Sequence, residues 1–403
     1  MSGYQQNLIH NEASFLRETL ESRMELYGLR NIVRIELFLW DLEIFLQIQE
    51  ILKERVVLKG GAAVQFYLPV EFQRTSVDID MIFDGTKDEI SNVLKIIEDK
   101  LGANDKYFKF REHIPENPKT ELPLYTFFLP IPSVCYDNEL RVNGGKQEIK
   151  VEFISYPCKI EISRLTGKKI FAVDSDKEYN VLSINNLFAD KLTTLGPKSI
   201  GIQDDRMDEQ IKQLFDIHAL MIYNMDALDF DVIREKYLER AKIETESRKI
   251  GFNESDITTD ALSQLLRLSK IDDGQDKELK KNIDDFQSSY IGRNGRKAHA
   301  EWAVVGEQIK YLMELIFIHK MRKEKLNKAF EIESRLSFKH LSGAEKGRSI
   351  LEFKNILIKE YASYSSIDPK ILKGKNLSRV LWSILNPENI EQIEYFVNDH
   401  IRL

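Results

Sequence analysis

The chain has 403 residues, 42% of them hydrophobic, with 58 basic and 65 acidic side chains and a formal charge of −7. That length is too great for one ordinary core and predicts two or three domains, while the apolar content excludes a disordered chain. The acidic balance excludes a generally basic nucleic-acid binder, so a polyanionic partner requires a local basic patch. Two cysteines, Cys135 and Cys158, argue for a reducing compartment and against a disulfide framework. The seven histidines do not sit near cysteines at zinc-site spacing. The polar start MSGYQQNLIHNEASF lacks a signal-peptide core, and no apolar run approaches the ~20 residues of a membrane span. A cytoplasmic protein with no membrane partner is expected.

In chain order, residues 12–55 read as mostly helical, with Leu37, Trp40, Ile44, Phe45, Ile48, Ile51 and Leu52 as an apolar stripe. Asp41 falls on that face and needs a partner or a place at its edge. A strand is predicted over 55–59, a short helix over 62–68 closed by Pro69, a strand over 77–83 and an amphipathic helix over 88–101. Two further β-like runs, 124–129 and 147–156, flank a turn at Asn143-Gly144-Gly145. After Tyr179 the pattern reads as helical throughout, with clear helices over 184–195 and 207–222 and polar loops at 271–277 and 292–297. The expected fold is α+β: a small mixed sheet with flanking helices in residues 1–225, followed by a helical domain over 226–403.

The chemistry concentrates in 56–83, VVLKGGAAVQFYLPVEFQRTSVDIDMIF. Alternate residues of a strand share a face, so Asp78 and Asp80 point the same way. Adjacent carboxylates repel and persist when a positive partner, often a divalent cation, lies between them. Glu152, in the run Ile149-Lys150-Val151-Glu152-Phe153-Ile154, faces opposite to Val151 and Phe153. Should that strand lie beside 77–83, Glu152 completes three hard oxygen ligands suited to Mg²⁺ on a nucleoside triphosphate; otherwise it is a solvent-facing strand residue. Gly60-Gly61, between a strand and a helix, leaves room for a phosphate to approach the backbone. Arg74, Thr75 and Ser76 before the acidic strand suit either turn chemistry or triphosphate oxygens.

The run Lys59-Gly60-Gly61-Ala62-Ala63 followed by Arg74-Thr75-Ser76-Val77-Asp78-Ile79-Asp80 resembles the AbiEii family, toxins of type IV toxin–antitoxin and abortive-infection systems, similar also to the MenT toxins. The likeness spans roughly residues 35–225. It implies a nucleotidyltransferase fold, an NTP substrate, an RNA acceptor such as the 3′ end of tRNA, a cognate antitoxin and a place in phage defence. Two later motifs agree with it. In Phe188-Ala189-Asp190-Lys191-Leu192-Thr193-Thr194-Leu195, the resemblance gives Lys191 a phosphate contact, although a lysine on an apolar face more commonly snorkels outward. Lys212-Gln213-Leu214-Phe215-Asp216-Ile217-His218 is similar to the family's Arg-Asp-x-Phe/Tyr-Asp-Leu helix. Asp216 fits its second acid, Gln213 stands in place of its first, and Asp216 also suits a bracing role through Lys191 or Arg206.

Between 291 and 340 there are eleven Lys/Arg against six Asp/Glu. A charge run is ordinarily a solvated helix face, and the alternative is a landing surface for an RNA backbone. Trp40, Trp302 and Trp382 read as core. Together these features predict a Mg²⁺-dependent enzyme that transfers NMP from an NTP to an acceptor. Asp78, Asp80 and Glu152 would hold metal or, for Glu152, take the acceptor's proton. Lys59, Gly60, Gly61, Arg74, Ser76 and Lys191 would position the triphosphate, with Asp216 as a further catalytic candidate. Transfer to a protein side chain or small molecule, NTP binding without transfer, and a purely structural role remain as the other readings.

Overall fold

The computed structural model describes residues 7–115, 123–135, 147–155, 160–336, 338 and 342–400. Two helices open it, α1 (Arg17–Tyr27) and α2 (Ile32–Leu52). Asn31 caps α2 by accepting a hydrogen bond from the Arg34 amide, and α2 is apolar on every side rather than along one stripe. A helix of that kind belongs in an interior, and residues 35–48 are buried without a break. Its polar members therefore need partners. Glu36 accepts from the Val134 amide (2.6 Å) and from Ser133, while Glu43 holds His10 (2.6 Å) and Gln47 (2.7 Å). Asp41 is not at an edge: it is buried, and among the described residues neither carboxylate oxygen has a hydrogen-bond partner. Burial first, then the nearby charges of Asp78 and Asp80, push its carboxyl well above the usual range.

A seven-stranded mixed sheet follows, in the order β3-β4-β5-β2-β1-β7-β6. Its strands are β1 (Val56–Lys59), β2 (Asp78–Phe83), β3 (Arg111–His113), β4 (Leu124–Ile131), β5 (Gln147–Ile154), β6 (Ile162–Thr166) and β7 (Glu178–Leu182). β2 is central, antiparallel to β1 and parallel to β5. Helix α3 (Gly60–Gln65) leaves the end of β1, and α4 (Lys87–Leu101) starts at a capping box between Thr86 and Glu89 and stops at Gly102 in the left-handed region.

The sequence signal missed β3, β6 and β7, and the helical reading after Tyr179 is corrected by β7. Tyr179 to Leu182 are all buried beside β1, so the strand shows no polar alternation; β6 is a half-exposed edge strand with weak patterning. The expected turn at Asn143-Gly144-Gly145 and Cys158 lie outside the described residues.

The rest is helical: α5 (Ile184–Leu192), α6 (Met207–Asn224), α7 (Phe230–Ser247), α8 (Glu254–Ser269), α9 (Lys277–Tyr290), α10 (His299–Met313), α11 (Glu324–Arg335), α12 (Gly343–Tyr361), α13 (Pro369–Leu372), α14 (Leu377–Ile384) and α15 (Ile390–His400). Trp40, Trp302 and Trp382 are all core residues. The helices after 226 pack onto the sheet half, α7 on α5 and α9 on α6, and one apolar core runs across that boundary. Among the described residues, no helix is long and apolar enough to cross a membrane.

Candidate active site

Strand β2 buries Ile79 and Met81 and turns Asp78 and Asp80 to the other face. Register then fixes the neighbours. Asp80 lies opposite Lys59 of β1 on one side and Glu152 of β5 on the other, and Glu152 lies opposite Thr126 of β4. Cross-strand partners share a face, so Lys59, Asp80, Glu152 and Thr126 form a row across four strands, with Asp78 one step along. Glu152 stands beside the acidic strand, as the metal reading required.

Both Glu152 oxygens are engaged: Oε1 accepts from Thr126 Oγ1 at 2.9 Å, and Oε2 lies 2.8 Å from Lys150 Nζ. Lys150 itself is in register with Asp78. Burial first, then the charges of Glu152 and Asp78, push the Asp80 carboxyl up to about 7. Burial likewise raises Asp78, with Lys150 and Lys212 opposing the shift. Among the described residues, no three His, Cys, Asp or Glu side chains close on one metal position. Asp78 and Asp80 remain a crowded pair that a divalent cation would relieve, while Lys150 neutralises Glu152.

The glycine corner is built on close contact. Gly60 has φ +69°, and a Cβ placed there would lie 2.1 Å from Asp80 Oδ2. Gly60→Ala is expected to cost about 1–2 kcal/mol through its left-handed backbone alone and to displace Asp80; a thermal melt and an NTP-binding titration of the variant check both. At Gly61 a Cβ would meet Arg74 Nη2 at 2.6 Å and Ser76 Oγ at 3.2 Å. Arg74 and Ser76 thus lie against the backbone of the turn, both buried.

Arg74 makes a two-pronged pair with Asp216 of α6: Nε to Oδ1 and Nη2 to Oδ2, each 2.7 Å. Its Nη1 donates to the Thr75 carbonyl at 2.8 Å. Lys191 of α5 approaches Asp216 Oδ2 at 2.8 Å and donates to Gln213 Oε1 at 2.6 Å. Burial alone would raise Asp216, but Arg74 and Lys191 together hold it below the ordinary carboxylate range. Gln213 thus offers Lys191 a neutral acceptor beside the charged one of Asp216. Lys191 does not snorkel outward; it is buried and carboxylate-paired.

A cavity of about 220 Å³ is lined by Lys59, Gly60, Asp80, Glu152, Asp190 and Lys191, among others. It shares Lys59, Leu124, Ile154, Asp190 and Thr194 with a larger one of about 740 Å³, bounded by the 198–203 loop, Arg206 and Arg248. The structure thus gathers Lys59, Gly60, Asp80, Glu152 and Lys191 around one opening, with Asp78 beside Asp80. It places Gly61, Arg74, Ser76 and Asp216 in the wall beneath. Sequence reasoning gave no role to Lys150 or Asp190. Lys150 was signalled by its period-two spacing from Glu152. Asp190 Oδ1 lies 3.0 Å from Lys59 Nζ and 2.5 Å from Arg240 Nη1. Burial would raise Asp190, yet Lys59 and Arg240 keep it lowered; only its place next to Lys191 hinted at this.

Paired acids beside a glycine turn on a mixed sheet, facing buried lysines, are the parts a nucleotidyltransferase uses. A family model for the nucleotidyl transferase AbiEii toxin of the type IV toxin–antitoxin system matches residues 44–302, reaching past 225 into α10. The chain belongs to that family and is a nucleotidyltransferase. Among solved structures it is similar to JHP933 from Helicobacter pylori, at 15% identity and TM-score 0.35 over 80% of this chain and 99% of that one. It is also similar to MenT4, a nucleotidyltransferase toxin from Mycobacterium tuberculosis, at 13% identity and TM-score 0.41 over 75% and 99%.

Proposed function

We propose that this chain is a Mg²⁺-dependent toxin that transfers NMP from an NTP to a hydroxyl of RNA, the 3′ end of tRNA being the proposed acceptor. The observation that carries the reading is the row Lys59–Asp80–Glu152, with Asp78 on the same face, opening into the cavity shared with Gly60 and Lys191. The acceptor oxygen attacks the α-phosphorus, the bond to the β-phosphate oxygen breaks, and pyrophosphate leaves. Bound Mg²⁺ would supply charge neutralisation to the phosphates, held by Asp78 and Asp80. Glu152, next to Asp80 and 2.8 Å from Lys150 Nζ, takes the proton of the acceptor hydroxyl. Lys59 and Lys191 meet the negative charge of the triphosphate, and Gly60 lets it come close to the backbone. Arg74 and Asp216 act one layer below by fixing Lys191 and the glycine corner. The family assignment implies an antitoxin as partner.

The test is incubation with each α-labelled NTP, Mg²⁺, and either bulk tRNA or total cell protein. Label is expected on RNA, and chelation of the metal is expected to abolish it. Label on protein alone would move the acceptor to a side chain. Nucleotide binding with no labelled product would reduce the chain to a binding module.

A further inference from the structure

The basic run at 291–340 divides in the structure. Its C-terminal part is neutralised: Lys325 pairs with Glu391, Lys328 with Glu394, and Lys323 donates to the Met225 and Asp226 carbonyls. Its N-terminal part is not. Arg293 and Arg296 join Arg30 and Arg34 from the far end of the chain. Among the described residues, none of these four guanidinium groups forms an ion pair with a carboxylate. Arg293 packs on Gly28, where an added Cβ would touch the Arg293 Cβ at 3.0 Å. Arg296 donates to the Ile291 carbonyl, and burial followed by the nearness of Arg30 and Arg293 lowers its pKa, which places the three charges together.

This cluster abuts the catalytic strand. The Tyr290 carbonyl accepts from the Thr75 amide at 3.0 Å, and Ile291 bridges to Arg74. Arg34 lies 4.3 Å from the Tyr290 ring centre and Lys212 4.7 Å from the same centre. The charge of Lys212 reaches Asp78, and the nearest carboxylate to it is Asp208 at 3.9 Å. Lys59 and Asp190 border the cavities from the Asp80 end, whereas Lys212 and Arg34 meet at the Tyr290 ring, with Arg293 and Arg296 in the turn that follows it. Converging like charges oppose folding unless a polyanion relieves them. They are out of keeping with a chain of net charge −7.

We propose that Arg30, Arg34, Lys212, Arg293 and Arg296 form the surface on which the sugar–phosphate backbone of the acceptor RNA rests as its hydroxyl reaches Glu152 beside the Asp78–Asp80 pair. The proposal rests on the transferase reading for the word acceptor, and its binding test stands apart from catalysis. Arg30 and Arg293 are exposed and serve no catalytic group, so the double variant Arg30→Gln/Arg293→Gln tests it in the full chain. The probe is fluorescently labelled bulk tRNA, titrated by anisotropy across a salt series, with Mg·NTP binding measured by calorimetry on the same samples. The expected result is a loss of roughly tenfold or more in RNA affinity at moderate salt. The slope of log affinity against log salt becomes shallower by about one and a half, with NTP binding unchanged and the melting temperature of the free chain equal to or above the parent's. Lys212→Gln gives the same direction. RNA affinity and salt slope equal to the parent overturn the proposal, as does an effect confined to capture of an acidic protein. A parent chain that binds RNA through these residues but labels no acceptor overturns the transferase reading and leaves the surface standing.

Discussion

Asp80→Asn is expected to lower NMP transfer by at least ~10²–10³-fold, the scale on which a preorganised charge-stabilising group acts, while making the metal-free chain more stable. The second half of that result follows from protonation. Asp80 ionises near 7 in the folded chain and near ~4 when unfolded. Between those values the folded chain binds more protons than the unfolded one, so stability falls as pH rises, and the deficit is complete above about 7. Asparagine removes it. The variant should melt higher than the parent at pH 8 and match it near pH 4. In the parent, protons compete with the metal, so Mg²⁺-supported transfer should decline on acidification below about 7. Retained transfer in Asp80→Asn, or a parent that melts higher than the variant at pH 8, would count against the assigned site.

Asp216→Ala should act on the fold instead. It strips the counter-charge from two buried cations, since Arg74 and Lys191 are 4% and 3% exposed at the side chain and Asp216 is fully covered. Breaking a buried pair from one side costs about 3–5 kcal/mol, a large share of a typical total of ~5–15 kcal/mol. Urea unfolding should show a stability loss of that size, and Asp216→Asn, which keeps one acceptor oxygen but turns an amide donor toward the other cation contacts, should lose less. Changing both partners to apolar residues, Arg74→Met with Asp216→Leu, should recover part of the loss, because an unpaired buried charge is worse than none. A stability within ~1 kcal/mol of the parent would show that these charges reach water.

The parts legible in the sequence are those made by neighbours in the chain. The period-two pattern of 78–83 announced the shared face of Asp78 and Asp80, and the Gly60-Gly61 step announced the corner beside them. Glu152 was readable as an outward residue, but its register with Asp80 came from the sheet. What stayed hidden depends on distance along the chain. Arg74 and Asp216 are separated by 142 positions, so nothing local shows that a residue read as a phosphate ligand spends its guanidinium on a helix. Lys150 stood two places from Glu152, but a solvated lysine leaves the same trace as one that neutralises an acid. β7 was read as helix because a strand covered on both faces loses its alternation. Helical spacing put Asp41 on the apolar face, but the rule that buried polar groups are partnered pointed to a partner or an edge, and it has neither among the described residues.

The seam between Thr75 and Tyr290 has a temporal consequence. The two are 215 residues apart, which at ~5–20 residues per second is about 10–40 s of synthesis. Asp78 and Asp80 leave the ribosome early and Arg74 meets Asp216 midway, yet the backbone clasp on Arg74 and Thr75 closes only when the 290s arrive. A product terminated before 290 would hold Asp78, Asp80, Glu152 and Asp216 and still lack the clasp. Loss of the 290s is expected to loosen the segment that leads into β2, which faster proteolysis of a chain ending before 290 would show.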